Sequence, residues 1–323
     1  MPANPKIGYH VSHEQFRPGE LLDYALFAAR AGFHTALSSD HFCPWSRKQG
    51  QSGFAWTWLG AAFQATSLNF GIVNAPGQRY HPAIIAQAAA TLCEMYPGRF
   101  WLGQGSGQAL NESITGEKWP GKAIRNDRLK ECVDIIRALW AGETVTWDGL
   151  VKVEEARLYT LPEKIPPVIG AAITPETARW MGGWADGLIT ISQPMDQLEK
   201  VVEAFQEGGG AGKPMFLKVQ LSYDSNDEKA RYGAFSQWKS NIFNSSMLSE
   251  LRFPWQFEQA AKFIKPADLD RYVHISAEPG VHAEWIERYA QLGFELIILH
   301  NVNTEQEQFI EVFGDKVLPI FKP

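Results

Sequence analysis

A closed barrel of eight parallel strands, each followed by a helix, is the fold class this sequence predicts. Three observations carry that reading. Apolar runs of strand length alternate with segments of helical period along the whole chain. Polar and small residues gather where those runs end, as they do at the C-terminal face of a (β/α)8 barrel. The length of 323 residues accommodates one such barrel with an insertion, and no linker or repeat divides residues 1–323, which are read as one domain.

The elements follow in order. Residues 6–11 form a short strand, and residues 19–32 carry Leu21, Leu22, Ala25, Leu26 and Ala29 at helical spacing before a terminating glycine. Residues 35–38 are the second strand, 54–66 a helix, 68–73 a strand, 82–96 a helix and 100–104 the fourth strand. A longer helix over 123–141 leads into a β-rich excursion at 144–160, with a turn at Trp147-Asp148-Gly149. Strands at 167–171, 187–191, 216–222 and 295–300 then alternate with helices at 177–184, 197–206, 281–292 and 305–317. Residues 226–270, helical and rich in Trp and Phe, interrupt the alternation after the seventh strand and are read as a lid or a subunit contact.

Composition narrows the function classes. Hydrophobic residues at 45% and charged residues at 20% describe a globular chain. A formal charge of -6 with no Lys/Arg run argues against nucleic acid or an anionic membrane surface as partner. Cys43, Cys93 and Cys132 are few and dispersed, which suits a reducing compartment better than a disulfide framework. With no charged n-region leading into an apolar stretch and no apolar run approaching about 18 residues, a cytoplasmic location is expected.

The chemistry is sought where strands end. The second strand runs into Ser38-Ser39-Asp40-His41-Phe42-Cys43-Pro44-Trp45. His41 titrates near neutrality and is the first candidate for acid–base work. Seen alone, a hydrogen-bonded structural histidine is the commoner case; the later stretches shift the balance. Other strand ends contribute His10 and Glu14, Asn74, then Gln104, Ser106, Gln108 and Asn111, then Ala171, Ala172 and Thr174, then Ser192 and Gln193, and last His300 and Asn301. This is a pocket rich in neutral donors and poor in clustered charge.

Gly103-Gln104-Gly105-Ser106-Gly107-Gln108 is a glycine-rich turn that lets backbone amides approach a flat or anionic ligand, or simply turns the chain. Its third dinucleotide-type glycine is missing, so it is no Rossmann fingerprint. Gly170-Ala171-Ala172-Ile173-Thr174-Pro175-Glu176 reads equally as an ordinary capped helix start or as room for a ring with a helix N-terminus facing a phosphate. No clustered metal ligands occur, and Gly105-Ser106-Gly107 lacks the spacing of a hydrolase elbow.

Taken together, Ile7-Gly8-Tyr9 with Glu14-Gln15-Phe16, Ser39-Asp40-His41-Phe42 with Pro44-Trp45, Arg79-Tyr80-His81-Pro82 through Gln87, and Gly105-Ser106-Gly107 with Ala109-Leu110-Asn111-Glu112 resemble the luciferase-like flavin and deazaflavin oxidoreductases. The likeness is greatest to the branch containing coenzyme-F420-dependent glucose-6-phosphate dehydrogenase. The resemblance implies a bacterial-luciferase-type barrel with a flavin-like ring at the strand ends. It implies His41 as base at the substrate hydroxyl, Trp45 over the reacting centre and Glu14 close by. Asp40, Ser106, Gly107, Asn111, Ala171 and Ala172 match positions around the cofactor, and a non-proline cis peptide is expected at Val73-Asn74.

Two departures qualify it. Gln108 stands where that branch has a glutamate associated with a proton to the deazaflavin. Pro194, Gln259 and Tyr272 stand where it has cations for the sugar phosphate, which argues for a non-phosphorylated substrate. Similarity to a sub-branch assigned to FMN favours FMN over F420. The expected activity is thus that of an FMN- or F420-dependent oxidoreductase, and with FMN a two-component monooxygenase fed by a flavin reductase is included. A homodimer is expected by the same resemblance. The rival readings are a non-catalytic flavin-binding protein and a metal-dependent barrel enzyme.

Overall fold

The computed structural model describes residues 4–322. In chain order it contains β1 (Lys6–Val11), α1 (Pro18–Ala31), β2 (Thr35–Ser38), α2 (Ala55–Ala65), β3 (Asn69–Asn74), α3 (Pro82–Met95), β4 (Phe100–Gln104), α4 (Ala109–Glu112) and α5 (Lys122–Trp140). There follow β5 (Val145–Asp148), β6 (Lys152–Ala156), β7 (Val168–Ala171), α6 (Pro175–Gly182), β8 (Gly187–Ile191), α7 (Met195–Phe205) and β9 (Met215–Ser222). The chain ends with α8 (Asp227–Trp238), α9 (Ser245–Glu250), α10 (Pro254–Ala260), β10 (His274–Ile275), α11 (Pro279–Ala290), β11 (Leu296–Asn301) and α12 (Gln306–Lys316).

The parallel order β1-β2-β3-β4-β7-β8-β9-β11 closes on itself, because β11 pairs with β1 as well as with β9. This is a (β/α)8 barrel. Its strands are buried on both faces, which is why they read as apolar runs and not as alternations. The helices begin and stop where the local chemistry dictates. Pro18 opens α1, the Glu20 carboxylate accepts from the Arg17 backbone N–H at 3.0 Å, and Gly32 ends it at φ 97°. His81 Nδ1 accepts from the Ala83 N–H at the start of α3, beside Pro82.

Three local expectations are corrected. The hairpin turn falls at Gly149-Leu150-Val151, since Trp147 and Asp148 still pair with Val153 and Lys152. The two-residue β10 and the one-turn α4 are too short to leave a periodic signal. No cis peptide bond occurs among the described residues, Val73-Asn74 included. There β3 stays in regular register with β4 to its end, with Val73 opposite Gly103 and Asn74 opposite Gln104, and a regular ladder requires trans bonds.

Leu37, Trp101, Ile169, Ile189, Leu296 and Ile298 plug the barrel interior and form a floor beneath its C-terminal mouth. Trp101 fits because its neighbour on β3 is Gly71, and a Cβ there would overlap the indole. Between β9 and β10, the segment of α8 to α10 packs back over the mouth. Phe257 of α10 joins Trp45 and Leu110 in one apolar cluster, with Phe243, Leu248 and Leu251 against it. Gly71→Ala is expected to destabilise the protein by about 1–3 kcal/mol, the usual cost of overpacking, seen as a lower urea midpoint at unchanged slope.

Candidate active site

Glu14 follows β1 and His41 follows β2, adjacent strands whose C-terminal loops lie side by side. Glu14 is buried, and its Oε2 accepts from the hydroxyls of Ser39 at 2.7 Å and Ser12 at 3.1 Å. Its other oxygen lies 3.4 Å from His41 Nε2. Burial works to raise the Glu14 carboxyl, but His41 and the Ser39 hydrogen bond outweigh it and hold the group below its ordinary value. For His41 burial is also the largest influence, and with Arg79 it outweighs Glu14, leaving the imidazole below 6.5. At neutral pH the pair is therefore a carboxylate beside a neutral imidazole.

The loop carrying His41 is fixed from several sides. Asn111 Oδ1 accepts from the backbone N–H groups of Phe42 at 2.9 Å and Cys43 at 3.3 Å, and its Nδ2 donates to Gln108 Oε1 at 3.3 Å. Trp45 lies 5.0 Å from the His41 ring and meets Phe257 edge-on at 5.3 Å. Beneath the loop, the Arg79 guanidinium is 3.2 Å from Asp40 Oδ2 and 3.5 Å from Glu112 Oε1, all three side chains being buried. Tyr80 donates to Asp40 Oδ1 at 2.9 Å. Burial nevertheless pushes the Asp40 and Glu112 carboxyls up, with Arg79 opposing the rise at each.

A cavity of about 1040 Å³ opens above the barrel floor, and Glu14, Asp40, His41, Trp45, Val73, Asn74, Ser106, Gly107, Gln108, Asn111, Ala171 and Ala172 lie on its wall, whereas Gln104 and Asn301, also expected there, are buried off it, Gln104 on Asn74 and Asn301 on the Tyr223 N–H and the Glu305 carbonyl. One side suits a flat ring with a polar edge. Gly107 has φ 81°, and a Cβ there would press on Ala75, Glu112 and Trp119, so the turn admits only glycine without strain. Ala171 and Ala172 end β7 in small side chains, and Thr174, accepting from the Thr177 N–H, opens α6 on the same wall. Asn74 Oδ1 accepts from Gln104, which leaves Asn74 Nδ2 buried and unpaired on the wall. An orphaned donor beside a side-chain-free cradle fits the edge of a flavin-like heterocycle.

The expectation of a site poor in charge is corrected. Arg79, Lys122, Arg125, Lys200, Lys218 and Arg271 also line the cavity. Arg79 comes from the loop after β3, and the other five come from the interior of β9, from α5 and α7, and from the segment after β9, away from the strand ends. Arg79 alone had a signal, its place in Arg79-Tyr80-His81-Pro82. Pro194 and Tyr272 lie on the wall. Among the described residues there is no group of His, Cys, Asp or Glu able to hold a metal, and no helix long and apolar enough to cross a membrane.

A family model described as luciferase-like monooxygenase matches residues 3–296. The chain belongs to that family. Within it, the F420-dependent glucose-6-phosphate dehydrogenase of Microbacterium testaceum is 37% identical over 97% of this chain and 96% of its own length. The protein of the same description from Mycobacterium tuberculosis is 33% identical over 98% of each. An F420-dependent secondary alcohol dehydrogenase, solved with an F420-acetone adduct, superimposes with a TM-score of 0.91 at 30% identity, covering 99% of this chain and 100% of its own.

Removing the buried cation is the sharpest test of the loop's architecture. Arg79→Leu strands Asp40 and Glu112 and is expected to cost about 3–5 kcal/mol in urea unfolding. Arg79→Lys, a point charge in place of a planar fork, should recover only part of it.

Proposed function

We propose that this protein transfers a hydride between a secondary alcohol and coenzyme F420, with His41 as the base at the hydroxyl. The carrying observation is His41 Nε2 held 3.4 Å from a Glu14 carboxylate oxygen, with the Trp45 ring 5.0 Å away between centroids, on the wall of a cavity large enough for ring and substrate. Asn74, Ser106, Gly107, Ala171, Ala172 and the Thr174 end of α6 would hold the cofactor. When bound, the deazaflavin supplies a two-electron hydride acceptor that reacts poorly with oxygen. His41 takes the hydroxyl proton as the carbinol hydride leaves, so alcohol becomes ketone, and Glu14 stabilises the imidazolium that forms. Trp45 covers the reacting carbon and limits water. Gln108 cannot titrate and is engaged with Asn111, so it has a positioning role.

The choice of F420 over FMN is supported by the names of the relatives at 30% identity or more, and the alcohol by the alcohol dehydrogenase among them. A non-phosphorylated substrate is supported by Pro194 and Tyr272 on the wall where the resemblance expects cations. The first experiment titrates the purified protein with F420 and with FMN, then offers propan-2-ol and glucose 6-phosphate. F420 binding with oxidation of propan-2-ol is expected; FMN binding alone, or a preference for the phosphosugar, overturns this assignment.

His41→Ala should lower turnover by about 10²-fold or more while leaving F420 affinity within a few-fold. Because burial depresses the His41 pKa, its basic form persists at lower pH than in free histidine. The acidic limb of kcat/KM for alcohol oxidation should therefore fall below pH 6.5, and a limb at or above that value would remove His41 from the role. Gln108→Glu should add an ionisation to the same profile.

A further inference from the structure

Deep in the cavity, on the side formed by β1, β9 and β11, lies a cluster that the hydride transfer does not use. Lys218 of β9 projects inward beside His10 of β1 and His300 of β11, and all three line the cavity. The two imidazoles are 4.1 Å apart between centroids and are buried. Trp238 from α8 packs edge-on against His300 at 4.7 Å, and the Lys218 ammonium lies 5.8 Å from the same indole.

Among the described residues the Lys218 ammonium makes no hydrogen bond and no ion pair within 4.0 Å, and the His10 imidazole makes no hydrogen bond either. His300 Nε2 faces Gln15 Oε1 at 3.1 Å; because Gln15 Nε2 donates to the Val302 carbonyl, its Oε1 accepts, and His300 is the donor. His300 Nδ1 is then a neutral, buried, unpaired nitrogen. The acid nearest in kind, Glu14, is occupied by two hydroxyls and His41. Asp40 and Glu112 are occupied by Arg79.

Lys218 thus faces only the cavity, with neutral imidazoles and an indole as neighbours. Loss of bulk water lowers its ammonium to about 8, with Glu14 opposing the fall from beyond ion-pair distance, and it stays charged at neutral pH. A charge held away from bulk water with no ion pair in contact is costly, and natural sites accept that cost where a ligand supplies the counter-ion.

We propose that Lys218 and an N–H of His10 bind a carboxylate of the substrate, making the natural substrate a hydroxy acid or its keto acid. This rests on the alcohol dehydrogenase reading and narrows it. The carbinol hydride goes to the deazaflavin, the hydroxyl proton goes to His41, and the carboxylate remains unchanged at Lys218. At this cluster one ammonium stands with two neutral imidazoles, which matches one carboxylate, whereas a phosphate dianion is ordinarily met by several cations or by the planar fork of arginine. Trp238 and His300 supply flat walls for the chain between the two ends.

The test is binding to the cofactor-free protein, followed by calorimetry with lactate, with lactamide as its uncharged counterpart, and with inorganic phosphate. Lactate should bind at least about tenfold more tightly than lactamide, in line with a charge-assisted hydrogen bond, and more tightly than phosphate. Lys218→Met should bring the lactate to lactamide ratio near one, and Lys218→Arg should preserve it. A wild-type ratio near one, a ratio unchanged in Lys218→Met, or stronger binding of phosphate each overturns the proposal. So does a Lys218→Met loss of F420 affinity as large as its loss of lactate affinity, which would assign the cation to the cofactor. Because these measurements need no turnover, they are separate from F420-linked oxidation of propan-2-ol, whose failure would instead sink the reading beneath.

Discussion

One buried guanidinium holds the site in shape. Arg79 reaches Asp40 on the loop after β2 and Glu112 in the short α4, and so ties together chain segments that follow three successive barrel strands. Either carboxylate alone would be a buried charge without a counter-ion; with Arg79 between them, the loop that presents His41 has one low-energy position. Asn111 adds direction to this constraint, because its carbonyl oxygen binds the backbone directly after His41. The imidazole is thereby placed by groups that never touch a reacting atom.

The same economy governs protonation. Two hydroxyls satisfy one oxygen of Glu14, which keeps the acid ionised in a buried setting, while burial and Arg79 keep the neighbouring imidazole neutral. Both groups are held below their ordinary values in this way, and a base with a stabilising anion behind it results. On the adjoining wall, from β1 round to β9, His10 and His300 are also held neutral by burial, so Lys218 contributes the positive charge there. The cavity is therefore asymmetric, with proton-accepting machinery on the loops after β1 and β2 and a cation without an ion-pair contact on β9.

The segment between β9 and β10 completes what the barrel begins. Barrel strands end in a ring of loops open to solvent, and α8 to α10 lie back over it, with Phe257 against Trp45, Glu258 on Arg47 and Glu250 on Arg125. Residues of this segment from Trp238 to Glu250 supply part of the cavity wall. Differences in substrate among relatives that share the barrel have an evident place to reside here, since the wall can change without disturbing the strands.

Much of the architecture was legible in the chain itself. Strands buried on both faces leave apolar runs, helices packed on one face leave a 3.6-residue period, and the ends of both carry turn and cap residues; eight strands and their order followed from these local signals. The stretch Ser39-Asp40-His41 with Trp45, and the glycine turn through Gly107, mark one end of the barrel by residue type alone. What was not legible was contact across the sequence. Nothing local places Glu14 beside His41, or Arg79 between Asp40 and Glu112. Lys218 and Trp238 likewise meet His300 only when the barrel closes, and the regular β3–β4 ladder at Val73-Asn74 emerges only from pairing. The sequence by itself determined the elements and the residue types available at the strand ends, because propensity and periodicity act over a few neighbours. The tertiary structure alone decided which charges are paired, which imidazoles are neutral and which cation is left free, because burial and Coulomb interactions depend on distances that closure of the barrel creates.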